Sequence, residues 1–367
     1  MSQVNHGENH GEAPRDAQVI APGATPGSPS VAVIAVHDGP ISGVAASPDG
    51  SRLMVANYGG DSVSVIDTET WRVVETVAGL GEPFTVAMGA HDTGRAYVST
   101  VSPAYDSIGV IDTSTNTVIE THPLALSVSD LVVSPDGKHV YACRNGGGGV
   151  DVAVLDTTTG QVEAIDLPTR PGTAAECVRV SPDGDRLYVA TNGPAGGRFV
   201  VIGTQRRDVL DTVEIGLPIR DVALSPDGAL AYVASCASDW AAVIDVIDTR
   251  AAKITGTRKV GEIGGILTGL TLSGDGDRAY LVSDDRVAVL CTRTQDVIGI
   301  VAVANTPSCV VEGLDAEFLY IADYSGNITV APVASIVACG AEILALESRS
   351  SAGRAVPALR RYEPALA

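Results

Sequence analysis

Lysine is nearly missing from this 367-residue chain: only Lys138, Lys253 and Lys259 occur. The other basic side chains are arginines. Lys and Arg together number 24 against 44 Asp and Glu, a formal charge of −20. Such a surface repels phosphate unless a basic patch is concentrated locally, which disfavours nucleic-acid binding. Aromatic residues are only 4%, so small aliphatic side chains must fill any core. No apolar run of about 18 residues occurs, so no membrane-spanning helix is expected. The nearest stretch, 330–346, is broken by Pro332, Gly340 and Glu342. The first residues are polar and acidic, without the basic and apolar stretches of a secretory signal, which makes the cytoplasm the expected location. The six cysteines (143, 177, 236, 291, 309 and 339) show no CxxC or CxxCH spacing, so neither a redox pair nor covalent haem is expected. There is no GxSxG nucleophile elbow. The glycines at 146–149 are followed by no lysine and helix, unlike a phosphate loop. His37, His91, His122 and His139 share no ligand spacing, and His6 and His10 in the polar tail are read as solvated. No cofactor and no metal are expected.

What is present is a repeat. Hydrophobic residues make up 45%, enough to exclude a disordered chain. Ser-Pro-Asp-Gly boxes stand at 47–50, 134–137, 181–184 and 225–228, with degenerate copies at 90–94, at 273–276 and around Asp315. Successive aspartates are 40–48 residues apart. Five residues after each comes Met54, Tyr97, Tyr141, Tyr188, Tyr232, Tyr280 or Tyr320. Asp-Thr follows at 67–68, 112–113, 156–157 and 248–249, and three copies lack it. Each unit reads as four short strands rich in valine and isoleucine. In the fifth copy they are 221–224, 231–234, 242–247 and 253–260, with Pro226, Asp227 and Gly228 turning the first into the second. Seven four-stranded units predict an all-β, seven-bladed propeller over 30–335. The seventh copy lacks a fourth strand. Residues 31–36 match the end of a unit and are expected to supply it, closing the ring from the amino-terminal side. Outside the ring, 1–29 is expected to be a disordered polar tail and 336–367 a tail with a short helix near 341–347.

The pattern SPDG-x3-YVA followed by VIDT-x-T resembles the YVTN-type β-propeller repeat, which is similar to surface-layer-type and lactonase-like propellers. The resemblance covers 31 to about 335. It implies the fold and a binding face where the innermost strands begin, over the central channel; it does not imply a chemistry.

Residues that follow the repeat are read as structural, so those that depart from it are the candidates. One set precedes each inner strand: Ser42, Thr85, Ser129, Glu176, Arg220, Thr268 and Ser308. Glu176 and Arg220 break a ring of small hydroxyls. With Asp130 and Asp221 they suggest a polar pocket at the channel mouth, three acids around one arginine, of a kind that could hold a metal, a sugar or a cationic group. The plainer reading is an ion pair between neighbouring blades. A second set lies in the loops between second and third strands: Tyr58, Tyr105, Arg144, Asn145, Asn192, Trp240, Asp284 and Tyr324. Exposed aromatics with arginine are common anchors of protein interfaces; the plainer reading folds each onto its own loop. The sequence thus favours a non-catalytic binding or scaffold protein recognising a protein or peptide on its loop face. The alternative is a lactonase-like hydrolase acting on a sugar ester or lactone at the channel mouth.

Overall fold

Each Ser-Pro-Asp-Gly box forms a self-contained hydrogen-bonded turn. At 225–228 the Gly228 amide donates to the Ser225 carbonyl at 2.7 Å, and Gly228 takes a φ of 69° that L side chains resist. The Ser225 hydroxyl donates to Asp227 Oδ1 at 2.6 Å and accepts the Leu230 amide at 2.9 Å. Asp227 Oδ1 also accepts the Ala229 amide. The same network recurs around Ser47, Ser134, Ser181 and Ser273. The threonine landmark ties this turn to the next hairpin: Thr68, Thr157, Thr204, Thr249 and Thr292 donate to the carbonyls of Gly50, Gly137, Gly184, Gly228 and Gly276. Two copies that lost Asp-Thr therefore keep its threonine, at 204 and 292.

These turns fix hairpins, and the hairpins stack into blades. The computed structural model describes residues 19–20, 32–89, 93–102, 105–125, 127–146, 149–261, 263 and 265–336. Seven antiparallel sheets follow one another in chain order. The fifth blade comprises Ile219–Leu224, Leu230–Cys236, Ala242–Asp248 and Lys253–Val260, close to the expected strands. The repeat tyrosines are buried, with Met54 in the corresponding place of the first blade. The core lies between blades; Tyr97 of the second, for example, shares a cluster with Leu131 and Val140 of the third. Exposed aliphatics Val74, Ile119 and Leu210 sit at bulges of outer strands, where the irregularity blunts an otherwise sticky edge. Among the described residues no helix is long and apolar enough to cross a membrane.

The ring closes from both ends of the chain. Ala32–Ala35 pairs antiparallel with Asn327–Pro332 as the fourth strand of the last blade, whose inner strands are Pro307–Glu312 and Phe318–Asp323. Ile34 and Val36 pack there with Leu53, Ile66 and Tyr320. The expectation of a disordered segment over 1–29 needs correcting at two positions: Val19–Ile20 pairs with Val33 and Ile34, because the added strand would otherwise leave an open ladder edge. The rest of 1–29 lies outside the described residues, as does the expected helix near 341–347. Residues 333–336 form one helical turn that buries Val333 and Ile336 against the sixth and seventh blades.

The turns make stability depend on pH. Hydrogen bonding from Ser47 holds the Asp49 carboxyl down at about 2. The matching serines lower Asp136, Asp183, Asp227 and Asp275. A carboxyl that titrates lower when folded stabilises the fold fully above its unfolded value of about 4, and that stabilisation drains as pH falls through the folded value. The melting temperature is therefore expected to fall steadily from about pH 4.5 to about pH 2. Replacing all five box aspartates by asparagine should flatten the slope; a wild-type profile flat across that window would contradict the account.

Candidate functional site

Every inner strand carries a β-bulge near its start. The register slips at Ser42, at Phe84 and Thr85, and at Ser129, Glu176, Arg220, Thr268 and Ser308. A bulge inserts a residue and re-aims its side chain. All of these residues line one central cavity of about 370 Å³. The sequence-derived ring of seven positions is thus a ring in space, and its members are the bulged residues.

Inside the bulges the inner strands present unpaired edges to the channel, so their amides need acceptors. The residue after the bulge supplies one to the next blade. Asp130 Oδ2 accepts the Val178 amide, and Asp221 Oδ2 accepts the Leu270 amide. Cys177 and Cys309 bond in the same way to the amides of Val222 and Val44, the latter across the ring closure. Burial pushes the Cys309 thiol up to about 11 and the Cys177 thiol well above the usual range. Both are protonated at neutral pH and poor nucleophiles.

The expected arrangement of three acids around Arg220 needs correcting. The arginine among the acids is Arg179. Its guanidinium reaches Asp130 Oδ2 and Asp221 Oδ1, each at 2.6 Å, and donates to the carbonyls of Val178 and Val222. Burial works against its charge, but the two aspartates outweigh it and raise its pKa. One side chain therefore clasps the third, fourth and fifth blades, and Asp221 extends the clasp to the sixth. Arg179 stands opposite the repeat tyrosine Tyr188, where other blades place Ala45, Ala87, Val132, Ala223, Thr271 and Val311. That departure from the repeat was the signal by which the sequence marked it.

Glu176 and Arg220, although on adjacent blades, do not pair. Glu176 Oε1 accepts a hydrogen bond of 2.9 Å from Asn192. Asn192 is pinned to the amide and carbonyl of Ile219, each at 2.8 Å. Arg220 is exposed and, among the described residues, has neither a hydrogen bond nor an ion pair. The Ser129 hydroxyl is buried in the lining without a partner.

The loops between second and third strands rim the same face. Tyr58, Tyr105, Trp240 and Tyr324 expose 37, 53, 57 and 50% of their surface. The bulge adds Phe84, which the sequence reading missed; it is 41% exposed and meets Tyr58 edge-on at 6.4 Å between ring centroids. Its position beside Thr85 in the only two-residue bulge explains why a one-position template overlooked it. Trp240 is held in a left-handed conformation, φ 66°, within a turn closed by its own amide on the Ala237 carbonyl. Arg144 departs from expectation. Its side chain is 11% exposed and forms a two-point ion pair with Asp151, directly opposite on the hairpin, so it is not an exposed anchor. Asn145 is likewise engaged, latching the Ala175 amide and carbonyl of the next blade.

No family model matches the chain. It is 55% identical over 396 residues, with the whole of both chains covered, to the seven-bladed beta-propeller protein Rv1057 of Mycobacterium tuberculosis (strain ATCC 25618 / H37Rv). Among solved structures it is similar to Kuenenia stuttgartiensis hydrazine synthase, with a TM-score of 0.73 and 22% identity over 87% of this chain and 99% of that one. At that identity the likeness is one of fold.

Proposed function

Since the chain belongs to the family of seven-bladed β-propeller proteins that includes its mycobacterial relative, we propose that it is a non-catalytic binding protein. Its partner is a protein or peptide that docks on the face where the inner strands begin. The observation that carries this reading is the exposed aromatic rim: Tyr58, Phe84, Tyr105, Trp240 and Tyr324 lie on one face of a chain otherwise poor in aromatics. Aromatic side chains are costly to leave in water and are enriched at interface centres. Trp240 strengthens the argument. A bulky residue in the left-handed region costs roughly 1–2 kcal/mol, and a mostly exposed indole returns little burial to offset it. Turns of this chain hold other non-glycine residues in the same region, Trp71 and Arg207 among them, so it is the exposure of the indole that speaks for docking.

A hydrolase at the channel mouth is less well supported. Asp130 and Asp221, two of the three carboxylates that reading needs, are already bound by Arg179 and backbone amides.

The test pairs affinity capture from native lysate with stability. A partner retained by the wild type and lost by a Tyr58→Ala, Trp240→Ala, Tyr324→Ala triple variant supports the reading. A partner retained equally by both sinks it. Trp240→Asn alone, by relieving the backbone, is expected to raise stability by about 1 kcal/mol while weakening capture. A fall in melting temperature would show that the indole serves the fold.

A further inference from the structure

The channel mouth holds two opposite charges kept apart. Among the described residues Arg220 projects from its bulge with no partner, whereas every other charged residue of the lining is engaged. Glu176, one blade away, is the obvious counterion. It is not used because Asn192 holds Oε1 and is itself fixed to the backbone on both sides of its amide. That fixation leaves Glu176 Oε2 as an open acceptor and Arg220 as an open donor, both facing a cavity of about 370 Å³. This lies within the roughly 300–1,000 Å³ typical of small-molecule sites. The Ser129 hydroxyl, buried and unpartnered in the same wall, adds a third unsatisfied group. A buried polar atom left unpaired costs free energy that a ligand recovers.

We infer that the channel mouth binds a small zwitterion of the α-amino-acid type, its carboxylate on Arg220 and its ammonium on Glu176. The need to match both open groups decides between ligand classes. The lining carries three carboxylates (Asp130, Glu176, Asp221) against two guanidiniums (Arg179, Arg220). A plain carboxylate adds to an existing negative excess, and a plain amine leaves Arg220 unmatched. A dipolar molecule satisfies both open groups without changing the total. Arg220 suits the carboxylate because a guanidinium fork engages its two oxygens together. The cavity lies on the face of the partner-docking reading and Phe84 borders it, but the groups proposed to hold the ligand, Arg220 and Glu176, are not among the rim aromatics, so the two readings are tested by different variants.

The experiment screens the common L-α-amino acids by thermal shift against the full chain. The strongest stabiliser is then titrated calorimetrically beside its amide and its α-hydroxy-acid counterpart. The amide lacks the carboxylate and the hydroxy acid lacks the ammonium, so each is expected to bind about tenfold more weakly, or worse. Arg220→Ala should weaken the amino acid by at least about tenfold and leave the amide unaffected. Arg220 is exposed and bonds none of the described residues, so this variant should fold like the wild type. Glu176→Gln keeps an acceptor for Asn192 but removes the charge, and should narrow the gap between amino acid and hydroxy acid. The inference is overturned if no amino acid binds the wild type at millimolar concentration. Equal affinity of Arg220→Ala, or of amino acid and amide, would overturn it as well.

Discussion

Deleting residues 1–36 is expected to abolish cooperative folding or lower the melting temperature drastically, whereas deleting 1–28 should change it little. The longer deletion removes the strand Ala32–Ala35 and with it Ile34 and Val36, both buried in the closing cluster. Burying a Val or Ile side chain is worth roughly 1.5–3 kcal/mol. Four ladder pairs to the last blade go as well, and Ile328 and Val330 lose the neighbours that cover them. Against a total stability of about 5–15 kcal/mol, that loss approaches the whole. The open edge would also invite pairing between molecules, so the truncated chain should aggregate. Among the described residues, the shorter deletion removes the two-residue pairing of Val19–Ile20 and leaves the closing strand in place. Thermal denaturation of the two truncations decides the matter: an unchanged transition after removal of 1–36 would refute closure by this strand. A point change serves as a milder version. Ile34→Ala should cost about 2–5 kcal/mol.

The second large effect is expected at Arg179. Removing one partner of a buried ion pair typically costs about 3–5 kcal/mol, because the stranded charges stay desolvated. Here the side chains of Arg179, Asp130 and Asp221 retain 28, 15 and 17% exposure. Solvent screening reduces the figure, so Arg179→Ala should destabilise by about 2–4 kcal/mol. Replacing the whole clasp, as Asp130→Asn, Arg179→Met and Asp221→Asn together, should recover much of that loss, since no charge is then left unmatched. The pH dependence gives a sharper check. Burial raises the Asp221 carboxyl even with Arg179 beside it. Without Arg179 that carboxyl loses the neighbour that opposes the effect of burial, and should titrate higher still in the folded chain. The penalty of the variant is then largest at neutral pH and shrinks as pH falls through that raised value. The stability difference between Arg179→Ala and wild type should narrow between about pH 7 and pH 4. A difference that stays constant, or widens, would mean that Arg179 acts through packing alone.

The blades were legible because their signals are local. A Ser-Pro-Asp-Gly turn satisfies itself within five residues, and the tyrosine five positions on lies in the strand that the turn starts. The ring of channel residues was legible for the same reason, since each stands at one fixed place in its unit. Pairing partners were not legible. Arg144 looked like a free anchor, yet the hairpin register sets it against Asp151, and that register depends on how Gly146 and Gly149 pair across the turn. Arg220 looked like the arginine of the acid cluster. A bulge at each inner strand shifts the side-chain alternation by one, so Arg179 meets Asp130 and Asp221 while Arg220 is left at the mouth.

The sequence by itself determined seven blades, their four-stranded make-up and the return of an amino-terminal strand to the last of them. These follow from turn chemistry and apolar spacing that neighbouring residues enforce. Only the tertiary structure decided which charges neutralise one another and which stay open. Those outcomes depend on inter-blade distances and bulge geometry, and on Asn192, which holds Glu176 away from Arg220 across a gap that linear spacing does not encode.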